Sequence, residues 1–212
     1  DHALFASGDR AAARRGLGFP AGRPVLLFVG RIQRLKGLDL AIETLAELRD
    51  PHALLVAIGG PSGPGGHEEL SRVRDLASDL GVAGQIRWVP PRRHADLVQY
   101  YRAADVCVVP SRSESFGLVA LEAAASGTPV VAASVGGLRS LIDDGSTGFL
   151  VDGREPRAYA SAVATILGDG ELAGWMGANA ASASLRYSWT MTAARMRRLY
   201  GDLTARAPVQ CS

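Results

Sequence analysis

The sequence predicts an α/β protein built on an open, doubly wound parallel sheet of about six strands. Three observations carry that expectation. Short unbroken apolar runs, such as Val25–Val29, Leu54–Ile58 and Val106–Val109, are bounded by Gly, Pro or polar clusters, as strands buried on both faces require. Between the runs lie stretches with apolar residues at helical spacing, so successive strands are joined by right-handed crossovers. The 25 glycines among 212 residues exceed the usual ~7% and suit a fold with many tight βα loops.

Taken in order, residues 1–23 form a lead-in carrying Phe5, Arg10, Arg14 and Arg15, weakly helical over 9–17 and turning over 18–24. Pro24 and Gly30 bound the first strand, Val25–Val29. Apolar residues at 38, 41, 42, 45 and 48 predict a helix over 38–48. Leu54–Ile58 is strand two, followed by a glycine-rich loop over 59–66 and a helix over 68–80 that ends at Gly81. Ile86–Val89 is strand three; Pro90 and Pro91 break it, and a helix follows over 95–103. Strand four is Val106–Val109. A polar loop leads to a helix over about 117–126 and to strand five over 129–132. Gly136 and Gly137 open a short helix reaching 142, Gly148–Val151 is strand six, and helices over 156–167, 170–185 and 189–203 close the chain. There are no internal repeats. The expectation is one Rossmann-like domain over 1–212, with a terminal helix and tail at 186–212.

Hydrophobic content of 47% and charged content of 21% leave ample material for a core. A net charge of +2 is too mild to argue for nucleic acid. Cys107 and Cys211 give no disulfide framework and suit a reducing compartment. No apolar run approaches the ~18 residues that a membrane span needs, and no signal-peptide pattern opens the chain. A cytoplasmic setting is expected, at most peripheral to the inner membrane face. The chain begins at Asp1 rather than Met, so it reads as a piece of something longer. His2, His52, His67 and His94 are isolated, without metal-ligand spacing. The loop after strand one holds only Gly30 and Gly37, so a dinucleotide cofactor is not expected.

Ligands of a doubly wound sheet bind outside the carboxyl ends of the strands, where the strand order reverses. The loops after strands one and four are expected to meet there, and both carry unusual chemistry. The first reads Gly30-Arg-Ile-Gln-Arg-Leu-Lys-Gly37. Gly30 lets the backbone turn sharply, and Arg31 and Lys36 project over the strand end, a planar fork and a point charge for a diphosphate. Solvated cations are the plain alternative, but cations at a helix start oppose its dipole, and an anion between them explains the placement better. Arg34 reads as solvent-facing. The second loop, Ser113-Glu-Ser-Phe-Gly117, sets hydroxyls and a carboxylate before a helix, where the amides of Phe116, Gly117 and Leu118 can hold an anion. Glu122, between Leu121 and three alanines, is costly to bury without hydrogen-bond donors. A sugar diol supplies two. The plain alternatives are Ser113 as a helix cap and Glu122 on a wet face. Arg92, in the turn 90–93, is a third candidate beside a plain surface turn. Gly136 and Gly137 read as a tight βα turn in preference to a turn that packs beside the site, and His67, Trp88, Trp175 and Trp189 as surface or packing residues.

The motifs Gly-Arg-x4-Lys-Gly and Glu114-x7-Glu122, the latter inside Ser-Glu-Ser-Phe-Gly-Leu-Val-Ala-Leu-Glu-Ala, resemble the nucleotide-sugar site of retaining family 4 glycosyltransferases of the GT-B fold. The resemblance runs from the first strand to Tyr187-Ser-Trp-Thr. It implies that the chain is the carboxyl-terminal, donor-binding half of such an enzyme, with the amino-terminal domain and most acceptor contacts absent. It implies a donor-binding set of Gly30, Arg31, Lys36, Arg92, Glu114, Ser115, Phe116, Gly117, Leu118 and Glu122. Arg31 and Lys36 hold the diphosphate, Glu114 the donor-sugar hydroxyls and Glu122 the ribose, while Arg92 lies near the base. Arg31, Lys36 and Glu114 are the catalytic candidates. No metal or cofactor is implied, because cationic side chains and a helix dipole take that role. No residue stands out as a covalent nucleophile, which suits a front-face route. Phe-Val-Gly-Arg-Ile-Gln-x-Leu-Lys and Gly-Gly-Pro-Ser-Gly look most like the inositol-phosphate N-acetylglucosaminyltransferases of mycothiol synthesis, and sucrose-phosphate synthase-like enzymes share these phrases. The expected partners are a UDP-linked sugar and a sugar, inositol-phosphate or other hydroxyl acceptor. The last helix, with Met191, Ala194 and Leu199, is expected to pack across to the other domain. A nucleotide-sugar epimerase of the same fold and a non-catalytic binding module are the alternatives.

Overall fold

A computed structural model describes residues 2–205; Cys211 and the end of the expected tail lie outside them. Six parallel strands form one sheet in the order β3-β2-β1-β4-β5-β6. They are β1 Val25–Val29, β2 Leu54–Ile58, β3 Ile86–Val89, β4 Val106–Val109, β5 Val130–Ala133 and β6 Gly148–Val151. The order reverses between β1 and β4, where Leu26 pairs with Val106 and Leu27 with Cys107.

The unbroken apolar runs are explained by burial on both faces. Leu26 and Phe28 enter a core shared with α2 (Leu38–Leu48), α3 (Gly66–Asp79), α7 (Pro156–Gly168) and α8 (Gly170–Ser184). Val25 and Leu27 point to the other side, into a core with α1 (Arg10–Leu17), α4 (His94–Ala103), α5 (Leu118–Ala125) and α6 (Leu138–Leu141). Alternation along a strand thus fills two cores at once. Burial pushes the Cys107 thiol in β4 above its ordinary pKa.

Local signals set the helix ends. Asp9 accepts from the Ala12 amide and Asp169 from those of Glu171 and Leu172, and Pro156 opens α7, all favoured at helix starts. Two boundaries depart from the sequence expectation. Gly65, in a left-handed conformation, lets α3 start two residues early, and β5 starts at Val130, the partner of Cys107.

The lead-in is more than the weak helix its pattern predicts. Phe5 and Phe19 are buried, Arg14 donates to the Ala103 carbonyl at 2.9 Å, and Asp105 accepts from Arg10, Arg14 and the Val25 amide. These contacts make it a covering layer over α4. By contrast α9 (Trp189–Ala205) leaves Trp189, Met191, Met196, Leu199 and Tyr200 exposed. No described helix is long and apolar enough to cross a membrane.

Candidate functional site

The loops after β1 and β4 meet at the reversal of strand order. Gly37 is left-handed at φ 73°, and a Cβ there would lie 2.1 Å from the Pro110 carbonyl oxygen. Only glycine lets the two backbones approach this closely. The approach brings Lys36 Nζ to 2.7 Å from Glu114 Oε2, with side chains 21% and 17% exposed. Ser111 Oγ lies 3.4 Å from the same oxygen. The anion answering Lys36 is therefore a carboxylate of the protein itself. Arg31 is exposed just past the end of β1. The chain bends at Gly30, as its place at the strand end suggested, but Gly30 is not the glycine on which the conformation of the loop depends. Its φ is not left-handed, and the nearest atom to an added Cβ would be in Phe28 at 3.5 Å. Gly37 takes that part.

A second correction concerns Gly136 and Gly137, read from the sequence as a plain turn. A Cβ on Gly136 (φ 46°) would lie 2.0 Å from the Glu114 carbonyl oxygen, and the Gly137 amide donates to that oxygen at 2.9 Å. The pair therefore supports the Glu114 loop from below. Ser113 caps nothing: the N-cap of α5 is Gly117, and no side chain hydrogen-bonds there. The helix start stays open to a ligand on that side. Ser115 is exposed, as are the side chains of Phe116 and Leu118, with Phe116 edge-on to Tyr187 at 5.8 Å.

Glu122, on the second turn of α5, is 15% exposed and not on a wet face. As its burial demands, both oxygens are hydrogen-bonded, but by protein groups: Oε1 lies 2.7 Å from His94 Nε2, and Tyr101 donates its hydroxyl to Oε2 at 2.8 Å. His94 is not the isolated histidine that its sequence neighbours suggested. Phe5 of the lead-in packs on both rings, at 4.7 Å from His94 and 5.9 Å from Tyr101. No local motif announces this group, because its members come from the lead-in, two turns of α4 and α5. Arg92 is exposed in the turn before α4, and its neighbour Arg93 is engaged with Asp96.

Asp39 is a further residue the sequence did not reveal. Buried on the first turn of α2, it accepts from Arg72, Arg112 and Arg154, each at 3.2 Å. Arg154 also donates to the Pro110 carbonyl and Arg112 to that of Arg34. One carboxylate thus ties α2, α3, the β6–α7 connection and both site loops together. Nearby, burial and then Asp39 raise the pKa of Glu43. Among the described residues no three His, Cys, Asp or Glu side chains are grouped to hold a metal ion.

The geometry has parallels among known proteins. The family described as "Glycosyl transferases group 1" matches residues 9–183. The D-inositol 3-phosphate glycosyltransferase of Corynebacterium glutamicum is 48% identical over 212 residues, covering 97% of this chain and 50% of that protein. The enzyme of the same name from Thermobispora bispora is 46% identical over 210 residues, 96% of this chain and 49% of its own length. Among solved structures, sucrose-phosphate synthase from Thermosynechococcus elongatus superposes with a TM-score of 0.88 at 37% identity, covering 98% of this chain and 51% of that one. Anabaena HepE in complex with UDP-glucose superposes at 0.85 with 27% identity, covering 95% and 55%. The chain spans about half the length of the curated relatives it matches.

Proposed function

Because the chain belongs to the group 1 glycosyl transferases, we propose that it is the donor-binding half of a retaining glycosyltransferase that holds a UDP-linked sugar for transfer to an acceptor hydroxyl. The observation that carries this reading is the meeting of Lys36 and Glu114, from two loops, at the reversal of strand order. On binding, the diphosphate replaces Glu114 as the counterion of Lys36, with Arg31 closing on it from the exposed side. The open amides before α5 add partial positive charge. Glu114, released, accepts from hydroxyls of the donor sugar, Glu122 accepts from the ribose, and Arg92 lies beside the base.

In the reaction the bond from the anomeric carbon to the diphosphate oxygen breaks and a bond from the acceptor oxygen forms on the same face. The acceptor proton passes to a phosphate oxygen of the leaving diphosphate. Negative charge grows on that group as the bond lengthens, and preorganised cations and amides stabilise it without reorganising at the moment of reaction. Transfer without a metal is part of the reading. The names of the curated relatives support an inositol phosphate as acceptor. Calorimetric titration tests the donor half: UDP is expected to bind at least about tenfold more tightly than UMP, as a charge-assisted contact implies, with no change when EDTA is added. Equal affinities for the two nucleotides would remove the role given to Arg31 and Lys36.

A further inference from the structure

Glu122 is held by the protein in a way that bears on how it could hold a ribose. Tyr101 is fully buried. Its pKa lies well above the ordinary value, chiefly through burial and then through Cys107 and Glu122, so it remains an O–H donor at any working pH. Where the Glu122 carboxylate is ionised it only accepts, and His94 Nε2–H is then the donor in the 2.7 Å contact. One donor thus sits on each carboxylate oxygen. A carboxylate offers about four acceptor positions, so about one remains on each oxygen. That is the number a vicinal diol needs.

We propose that Tyr101 and His94 are positioning residues: they fix the Glu122 carboxylate so that its two remaining acceptor positions meet the 2′- and 3′-hydroxyls of a ribose together, and so set a preference for ribo- over 2′-deoxyribonucleotides. The proposal rests on the reading that Glu122 holds the ribose. A glutamate side chain left free would have to be ordered at each binding event, at a cost in affinity. Here the ordering is done on folding, with Phe5 packed against both donor rings.

The test is calorimetric titration of the chain with UDP and 2′-deoxy-UDP. The wild-type chain is expected to prefer UDP by about tenfold, the worth of a hydrogen bond to a charged group, and Glu122→Gln to abolish that preference. Tyr101→Phe and His94→Ala are each expected to shrink it by about threefold, with the larger loss falling on UDP, because 2′-deoxy-UDP keeps only the 3′-hydroxyl contact. Neither is expected to change anything further in the Glu122→Gln background, since residues that act through one group are not additive. Two residues that merely support the fold would weaken both nucleotides alike and would do so in either background. If Tyr101→Phe and His94→Ala keep the full preference while Glu122→Gln loses it, the inference fails and the role of Glu122 stands. If Glu122→Gln itself keeps the preference, both fall. Should Tyr101→Phe not fold, His94→Ala decides alone, its side chain being 59% exposed.

Discussion

Lys36 and Glu114 lie 78 residues apart in the chain, and each is the other's charge partner. Lys36→Met is expected to weaken UDP binding by about tenfold or more, by loss of a contact to a charged group. Glu114→Gln is expected to bind UDP at least as tightly as the wild type, because Lys36 loses a competitor, and to bind the intact UDP-sugar about tenfold more weakly. Titrations of both variants with both ligands check this, and equal losses everywhere would refute the division of labour. At this scale the sequence was legible where chemistry sits in one contiguous motif. Lys36, Glu114 and the part-buried Glu122 were all visible as odd residues in apolar or glycine-rich surroundings. Phe5, His94, Tyr101 and Asp39 were not, because their meaning comes from partners that only folding brings near. Gly136 was seen but misread, since its clash with the Glu114 carbonyl is a property of the packed loop.

Strands and helices were the most legible elements, because burial on both faces writes itself as unbroken apolar runs. The exceptions were set by backbone detail, such as the left-handed Gly65 that starts α3 early. The ties between elements left no pattern at all. Asp39→Asn removes the one carboxylate shared by Arg72, Arg112 and Arg154. Those arginines are partly in water, so the expected loss is about 1–3 kcal/mol rather than the cost of a fully buried pair, read as a lower midpoint in urea. Glu43 shows the opposite sign. Its pKa is raised in the folded state from an ordinary 4.5 by burial and by Asp39, so its ionisation is disfavoured by folding. Its contribution is fully present below the unfolded pKa and lost as pH rises through the folded one. Glu43→Gln should therefore raise the melting temperature at pH 7 and leave it unchanged below about pH 4. A gain of equal size at both pH values would contradict this.

For the whole molecule, the doubly wound parallel sheet and the meeting of the loops after β1 and β4 followed from strand–helix alternation, while the covering role of the lead-in did not. The exposed apolar face of α9 was expected from its spacing. Positioning an acceptor can supply about 7–11 kcal/mol of barrier reduction, and none of the residues assigned here to the donor would provide it. The chain alone is expected to bind UDP-sugar with transfer at background level. Activity should appear when the half that the curated relatives possess in addition is fused to it, and robust transfer to inositol phosphate by these 212 residues would overturn that expectation. On the proposed reading, the Lys36–Glu114 pair also makes the empty site compete with its own ligand. A nucleoside diphosphate that draws Lys36 away leaves Glu114 part-buried without its cation, and only a ligand that also brings hydroxyls supplies replacement donors. The two ends of the donor then bind cooperatively. After the sugar departs, the spent nucleotide competes against re-formation of the ion pair, which weakens product inhibition and hastens release, a step that limits turnover in many enzymes.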